Sequence, residues 1–249
     1  MIHNALHKNP VALDRTKHRT LRIDRQRMGV DLSPAAALNS FFVHAVEFSD
    51  ACREYPLVFV RASQDDKGRP EFAPVAVFGL THGENLFLDG NRWQADYIPA
   101  QLRAYPFAMA RMDDQQFAVC VDRAWSGFSE TEGTALFEAD GEPSAYLKEM
   151  QQYLEKLETE ARRTRAFCQK LYELGLMQGM RFDATLPDGE KITVDGFLSL
   201  DEKKVAALPD ATVLELHRNG ILGLIHMQQV SMGNMRRLLE RRVKRKAHA

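Results

Sequence analysis

The sequence lacks the features that would place it in a membrane or outside the cell. Its longest uncharged apolar runs fall short of the roughly 20 residues that a membrane-spanning helix requires. Residues 1–10, MIHNALHKNP, contain no apolar core of the kind that a secretory signal has. Only three cysteines occur, Cys52, Cys120 and Cys168, an odd number at wide spacing that is typical of free thiols in a reducing compartment. We therefore expect a cytoplasmic protein without a membrane span.

The motifs of common cofactor and hydrolase chemistry are also missing. The sequence contains no phosphate-binding loop, no dinucleotide fingerprint, no Gly-x-Ser-x-Gly turn and no Cys-x-x-Cys pair. We therefore expect no cofactor, and these motifs assign no reaction. What is present is an ordinary globular composition, with 249 residues, 45% of them hydrophobic and 27% charged. This length and composition predict about one large domain.

Charge is distributed unevenly, although the net charge is only −1. Residues 1–30 hold seven Lys or Arg against two Asp, and residues 236–249 hold seven against one Glu, so the middle of the chain is acidic. The basic ends bind an anionic polymer or surface, lie on the acidic body, or are simply solvated. They lack stacking aromatic residues, so nucleic acid is not the expected partner. We predict a basic arm over residues 1–30 and a single domain over residues 31–249 that ends in a basic helical tail.

Hydrophobic spacing and turn residues predict an α+β fold with a mainly antiparallel sheet in the N-terminal and central part. Apolar residues at helical spacing predict a helix over residues 34–52. The predicted strands cover residues 56–60, 72–80, 85–89, 106–112 and 117–122, the last two joined at Asp113-Asp114. A hairpin around Pro187-Asp188-Gly189 follows, and capping residues predict a helical C-terminal third.

Residues 144–175 form the strongest helical pattern. Apolar residues recur every three or four positions from Leu147 to Leu171, and charged residues occupy the other faces. This pattern predicts an amphipathic helix of about eight turns, either continuous or broken once near Thr164. Its apolar stripe either packs on the sheet or forms the seam of a homodimer.

Several segments resemble the SapC-like family of bacterial proteins. The resemblance is carried by NLFLDGNRWQADYIPAQLRAYPF at residues 85–107 and by shorter matches before and after it. The shorter matches are YPLVF at 55–59, EGTALF at 132–137, DGEP at 140–143, DGF at 195–197, LPD at 208–210, GIL at 220–222, and Ser231 with Asn234. The resemblance implies an association with a bacterial surface layer or its export, and it implies no reaction, cofactor or catalytic residue.

The central segment is also the best candidate for a binding surface. Aromatic rings with a few placed polar groups are typical of pockets for peptides, glycans or protein partners. The candidate ligand-binding residues are Asn85, Asp89, Trp93, Tyr97, Arg103 and Tyr105. The alternative is that the rings belong to the core and that the polar groups hold turns.

One short pattern suggests a metal-dependent enzyme as the alternative function. His82 and Glu84 lie two residues apart after a predicted strand, which would place both side chains on one side of it. With His217 or His226, they would complete the two-histidine, one-carboxylate face of non-haem Fe(II) oxygenases. Gly83 between them is equally typical of a plain turn.

Overall fold

A computed structural model describes residues 2–111 and 117–247 of the chain. Its strands are β1 Pro10–Ala12, β2 Arg22–Ile23, β3 Ser40–Phe42, β4 Leu57–Gln64, β5 Pro70–Val77, β6 Leu88–Asp89, β7 Arg92–Trp93, β8 Phe107–Arg111, β9 Phe117–Asp122, β10 Phe128–Ser129, β11 Thr134–Ala135, β12 Met177–Thr185 and β13 Lys191–Leu200. Its α-helices are α1 Phe48–Ala51, α2 Ala100–Ala104, α3 Ala145–Glu173, α4 Glu202–Ala206, α5 Asp210–Arg218, α6 Ile221–Ser231 and α7 Asn234–Ala247. The α+β class and the helical C-terminal third are therefore confirmed.

The chain divides into two compact units. The first unit comprises Met1–Ala36, Leu88–Gln94 and Ala100–Thr159, and the second comprises Ala37–Phe87, Ala95–Pro99 and Glu160–Ala249. Each sheet within the described residues belongs to one unit only.

The first unit contains three small antiparallel sheets among its described residues. Their strand orders are β1-β9-β8, β10-β2-β11 and β6-β7. Two strands of the basic N-terminal segment thus pair with later strands, β1 with β9 and β2 with both β10 and β11. The predicted end of a strand at Met112 and the turn at Asp113-Asp114 lie outside the described residues.

The second unit is built on an antiparallel sheet of order β12-β13-β4-β5-β3. The predicted hairpin is confirmed as β12 and β13. Their pairing begins with Met177 opposite Leu200 and ends with Thr185 opposite Lys191, next to the turn at Pro187. Gln228 on α6 donates from Nε2 to the carbonyl of Leu57 at 2.9 Å and to the hydroxyl of Ser199 at 3.1 Å. These buried hydrogen bonds connect α6 to strands β4 and β13.

Ser231 at the end of α6 and Asn234 at the start of α7, which carry part of the family resemblance, have a structural role. The hydroxyl of Ser231 accepts a hydrogen bond from the backbone N–H of Leu57 at 3.0 Å. The side-chain amide of Asn234 donates to the carbonyls of Cys52 and Tyr55 at 2.8 and 3.1 Å. Both side chains are buried, so each satisfies backbone groups that water does not reach.

The helix predicted over residues 34–52 is wrong. Ser40–Phe42 instead forms strand β3, in which Phe41 pairs with Ala76 of β5. A 3₁₀ turn over Ala45–Glu47 and the four-residue α1 follow it. The apolar spacing fits a helix, but pairing with β5 satisfies the backbone of β3 and also buries Phe41, so tertiary contacts override the local pattern.

The long helix is confirmed as α3, which is the continuous form of the two alternatives because it runs through Thr164. The hydroxyl of Thr164 accepts a hydrogen bond from the backbone N–H of Ala45 at 2.9 Å and donates one to the carbonyl of Glu160 at 2.7 Å. The apolar stripe is buried within the single chain; its buried members include Leu147, Leu154, Ala161, Cys168 and Leu171.

Candidate functional site

The six candidate binding residues are divided between the two units. Asp89, Trp93, Arg103 and Tyr105 belong to the first unit, and Asn85 and Tyr97 belong to the second. Asp89 and Arg103 are exposed, Trp93 and Tyr97 are half-buried, and Asn85 and Tyr105 are buried, each with 3% of its surface exposed. The structure therefore assigns different environments to residues that are close in the sequence.

Asn85 holds a turn in the second unit. Its Oδ1 accepts a hydrogen bond from the backbone N–H of Phe87 at 3.0 Å. Its carbonyl accepts a second bond from the guanidinium of Arg245 at 2.6 Å. This arrangement matches the alternative stated for the polar residues of the segment, in which a side-chain amide supports the backbone of a turn.

Tyr105 is anchored to a buried carboxylate that the sequence did not reveal. Its hydroxyl donates to Oδ2 of Asp122 at 2.9 Å, and Asp122 is fully buried. Asp122 also accepts hydrogen bonds from the backbone N–H groups of Lys8, Asn9 and Ala124, at 2.9, 2.8 and 3.1 Å. The carboxylate thus connects the N-terminal segment to the end of β9.

The hydrogen bonds around Asp122 shift two pKa values in opposite directions. Burial acts to raise the pKa of Asp122, but the N–H groups of Lys8, Asn9 and Ala124 and the Tyr105 hydroxyl outweigh it, and the pKa lies below its usual value. Burial first, and then the bond to the Asp122 carboxylate, raises the pKa of Tyr105. The pair is therefore an ionised carboxylate and a neutral phenol near neutral pH.

Two further aromatic side chains surround Tyr105. The ring of His7 lies 5.6 Å from that of Tyr105, and the ring of Trp125 lies 6.4 Å from it in an edge-on arrangement. His7 and Trp125 are 5% and 4% exposed. The sequence did not predict that His7 and Trp125 contact Tyr105. His7 lies in a polar terminal segment. The only available signal at Asp122 was a charged residue that ends an apolar strand.

Tyr97 is anchored in the second unit in a similar way. Its hydroxyl donates to Oε1 of Glu47 at 2.7 Å, and Oε2 of Glu47 lies 2.6 Å from Nδ1 of His44. Glu47 also caps the backbone N–H of His44 at 2.8 Å, and the Tyr55 hydroxyl donates to the carbonyl of Tyr97. A carboxylate that orients an imidazole is used in both catalytic and structural sites. Here His44 is fully buried, and the observed contacts are those of a helix cap.

In the structure, Glu84 of the His82 and Glu84 pattern is bonded to an arginine and to a backbone N–H group. Both carboxylate oxygens of Glu84 lie 3.0 Å from the guanidinium of Arg242, and Glu84 also accepts a bond from the backbone N–H of Leu80. Gly83 has a φ of +76°, which is the turn geometry named as the alternative. Among residues 2–111 and 117–247, no group of three or more His, Cys, Asp or Glu side chains is placed to hold a metal ion.

The basic C-terminal helix lies against carboxylates of its own unit. Arg242 is 11% exposed and also pairs with Glu190 at 2.7 Å. Lys246 pairs with Asp188 at 2.7 Å and with Glu190. These bonds lower the pKa values of Asp188 and Glu190 and raise the pKa of Lys246. Of the three interpretations of the basic tail, the structure supports the one in which it lies on acidic residues of the chain.

A surface cavity of about 430 Å³ lies in the first unit, and the sequence did not predict it. Its lining residues are Arg19, Thr20, Arg22, Glu130, Ala135, Phe137, Glu138 and Ala139. Arg19 donates to the carbonyl of Ala139, and Arg22 donates to the carbonyl of Gly133 at 3.0 Å. The two guanidinium groups are therefore held in place beside two carboxylates and one aromatic ring.

Gly133 is required for this geometry. Its φ is +95°, and a Cβ atom at this position would lie 2.6 Å from the carbonyl oxygen of Ile23 on β2. Only glycine allows β11 to approach β2 this closely. The segment EGTALF, which carries part of the family resemblance, contributes Ala135 and Phe137 to the lining of the cavity.

The chain is thus an α+β protein whose first unit has a surface cavity lined in part by charged side chains. Residues 13–238 match the SapC family, so the chain belongs to the SapC family. No match was found among curated proteins or among solved structures. In the described part of the chain, no helix is both long enough and apolar enough to cross a bilayer.

Proposed function

We propose that this SapC-family protein is a cytoplasmic binding protein that recognises a peptide segment of a partner, in connection with a bacterial cell-surface structure or its export. The observation that carries the proposal is the cavity lined by Arg19, Arg22, Glu130, Glu138 and Phe137. Its volume of about 430 Å³ lies within the range that is common for ligand sites.

The chemistry of the cavity favours a peptide over a glycan. Guanidinium groups pair with carboxylates in two places at once, and the glutamates accept from ammonium groups and backbone amides. A peptide offers both charges and amide groups, whereas a neutral glycan leaves the charged groups of the cavity without partners. Because Arg19 and Arg22 are already bonded to backbone carbonyls, less side-chain entropy is lost on binding.

Two members of the central segment, one half-buried and one exposed, provide a second surface for the same partner. Trp93 lies half-buried on β7 and Arg103 lies exposed on α2, both within the first unit. These residue types dominate the energetic centres of binding interfaces. The cytoplasmic location is supported by Cys52, Cys120 and Cys168, which are all described, all buried and all free.

The experiment compares capture of partners from a lysate of the native host by three purified proteins. These are the wild type, the double variant Arg19→Met with Arg22→Met, and the control Arg15→Met, which removes an exposed arginine of the same segment. We expect the wild type and the control to retain a partner that the double variant loses. Bound material should be destroyed by protease and resist glycosidase.

The reverse sensitivity would replace the peptide with a glycan. Equal recovery by all three proteins would exclude the cavity as the binding site. A disulfide between any two cysteines in protein isolated from the host, or recovery of most of the protein at the cell surface, would contradict the cytoplasmic location.

A further inference from the structure

The sheet of the second unit has one long free edge, which is strand β12. Met177–Thr185 spans nine residues at one end of the strand order, and β13 is the only strand that pairs with it among the described residues. The other edge of the sheet, β3, has only three residues. A long free edge presents N–H and C=O groups that can pair with a further strand.

Strand β12 lacks the features by which proteins usually protect such an edge. It contains no proline and no lysine, and six of its nine residues are exposed. Its two charged residues, Arg181 and Asp183, contact each other at 2.8 Å. The edge therefore carries no net charge that would repel a second strand.

The hydrogen bonds at both ends of β12 show which of its backbone groups face outward. The N–H of Leu186 donates to the carbonyl of Glu190 at 2.8 Å, so Leu186 faces β13. The carbonyl of Leu176 accepts from the N–H of Asp201 at 2.9 Å, so Leu176 faces the same way. Because backbone groups alternate along a strand, the even-numbered residues face β13 and the odd-numbered residues face the free edge.

The bulge in this hairpin does not disturb the alternation along β12. Met180 pairs with Phe197 and Phe182 pairs with Val194, so β13 has one more residue than β12 between the two pairs. The bulge therefore lies on β13, where Gly196 has a φ of +77°. Strand β12 itself is regular, and its outward-facing residues are Met177, Gly179, Arg181, Asp183 and Thr185.

The outward side of β12 is complementary to a second copy of itself. In an antiparallel pair with a two-fold axis at Phe182, Arg181 of each copy lies opposite Asp183 of the other copy. Opposite charges at facing positions stabilise an antiparallel pair. An axis at Arg181 or at Asp183 would instead place two like charges opposite each other, which is destabilising. The charges of the strand therefore favour the axis at Phe182.

The same register brings apolar side chains together on the other face of the strand. Phe182 of one copy lies opposite Phe182 of the other, and Met180 lies opposite Ala184. Met180 is 36% exposed, and Phe182 and Ala184 are half-buried in the single chain. Pro187 has no backbone N–H and would lie opposite Met177, so the pairing ends where β12 ends.

We propose that β12 is a dimerisation edge, at which two copies of the chain pair antiparallel about Phe182 and join their five-stranded sheets. Both copies use the same edge, so the contact closes on itself and gives a dimer rather than a filament. The outward backbone groups of Gly179, Arg181, Asp183 and Thr185 exchange hydrogen bonds with those of the second copy. A contact through one strand edge is small, and we expect a weak dimer with a dissociation constant in the micromolar range.

Cysteine crosslinking of the full chain tests the register. The axis at Phe182 places the two Cα atoms of this position about 4.5 Å apart, so Phe182→Cys should form a disulfide between two chains under mild oxidation. Ala184→Cys is the matched control on the same face of the strand. Its two Cα atoms would be about 14 Å apart, too far for a disulfide. Non-reducing electrophoresis measures the crosslinked fraction, and the three natural cysteines are buried.

Charge reversal, followed by sedimentation equilibrium, tests the contact between Arg181 and Asp183 of the two copies. Arg181→Asp and Asp183→Arg each place like charges opposite each other, and each should weaken the dimer about ten-fold or more. An equimolar mixture of the two variants should recover dimers, because the acidic edge of one variant faces the basic edge of the other. An ion pair within one chain cannot produce this rescue. The control Arg163→Asp breaks an exposed ion pair of α3 and should dimerise like the wild type.

Three results would overturn the dimerisation edge. The wild type could remain a monomer up to its solubility limit, the two cysteine variants could crosslink equally, or the mixed charge variants could fail to recover dimers. A wild-type monomer that binds an extended segment of another protein at β12 would assign the edge to a foreign strand instead. If Phe182→Cys does not fold, the charge variants and their mixture still decide.

The dimerisation edge and the peptide-binding proposal can fail separately. Strand β12 belongs to the second unit, whereas the residues that line the cavity belong to the first. A monomeric wild type that still captures its partner would leave the cavity proposal standing. Loss of capture by the double variant Arg19→Met with Arg22→Met should leave the dimer intact.

Discussion

The hydroxyl of Tyr97 and the imidazole of His44 contact opposite oxygens of one buried carboxylate, that of Glu47, at 2.7 and 2.6 Å. Tyr97 was predicted from the sequence as a recognition residue. In the structure its hydroxyl stabilises a polar cluster within its own unit, and its ring remains half-buried. A residue can thus match a binding pattern and also have a structural partner.

Replacing Tyr97 with Phe removes the hydrogen bond and keeps the ring. We expect the free energy of unfolding to fall by about 1.5–3 kcal/mol, because the bond is made to a carboxylate that water does not reach. Chemical denaturation measures the change. Tyr172→Phe is the matched control, since Tyr172 is exposed, and it should leave stability unchanged. Equal stability of Tyr97→Phe and the wild type would show that the bond to Glu47 contributes nothing.

Replacing Asp122 with Asn tests the carboxylate that binds the N-terminal segment to β9. The amide keeps the shape but cannot accept all four hydrogen bonds, and we expect a loss of about 3 kcal/mol or more in the free energy of unfolding at pH 7. Melting curves of the two proteins give the difference.

The pH dependence provides an independent check on Asp122. Folding lowers its pKa, so its contribution is fully present above the unfolded pKa of about 4. That contribution is lost as the pH falls through the lower pKa of the folded state. Wild-type stability should therefore decrease in this acid range more steeply than that of the Asn variant. Parallel curves would contradict the assignment.

Trp93→Ala and Arg103→Ala test the two side chains of the central segment that are proposed to contact a partner. If these side chains contact a partner, each truncation should weaken capture by about 2 kcal/mol or more, with little change in melting temperature. A core role predicts the opposite for Trp93, a loss of about 3–5 kcal/mol in folding stability with the partner retained. Thermal melting and partner recovery, measured on the same preparations, distinguish the two outcomes.

Replacing Arg242 with Met tests the docking of the basic helix. Glu84 and Glu190 would lose their shared partner, and we expect a loss of about 2 kcal/mol in the free energy of unfolding. Arg236→Met is the control, because Arg236 is highly exposed and pairs only within α7 among its observed ion pairs. The control should differ from the wild type by no more than about 0.5 kcal/mol.

The same helix should bind anionic polymers poorly. Its Arg242 and Lys246 are already paired with carboxylates, so DNA, RNA and anionic vesicles should bind weakly at moderate salt. Tight binding that falls steeply with salt and disappears on deletion of residues 240–249 would show that the helix leaves its carboxylates for an external anion.

Local patterns in the sequence determined the elements that satisfy their own backbone or need only a turn. The spacing of apolar residues from Leu147 to Leu171 was sufficient for α3, and Pro187-Asp188-Gly189 was sufficient for the β12–β13 hairpin. The SapC resemblance also came from the sequence and matched nearly the whole chain. These features depend on neighbours in sequence, which periodicity and turn chemistry report directly.

Only the tertiary structure decided which polar side chains share an environment. Strand β3 forms in place of a predicted helix because it pairs with β5, whose partner residues lie 33 to 37 positions further along the chain. Tyr105 meets Asp122, and Glu84 meets Arg242, across 17 and 158 positions. No local pattern records such pairs, because long-range burial and hydrogen bonding, rather than neighbouring residues, select them. The cavity and the buried Asp122 carboxylate could not be predicted from the sequence for the same reason.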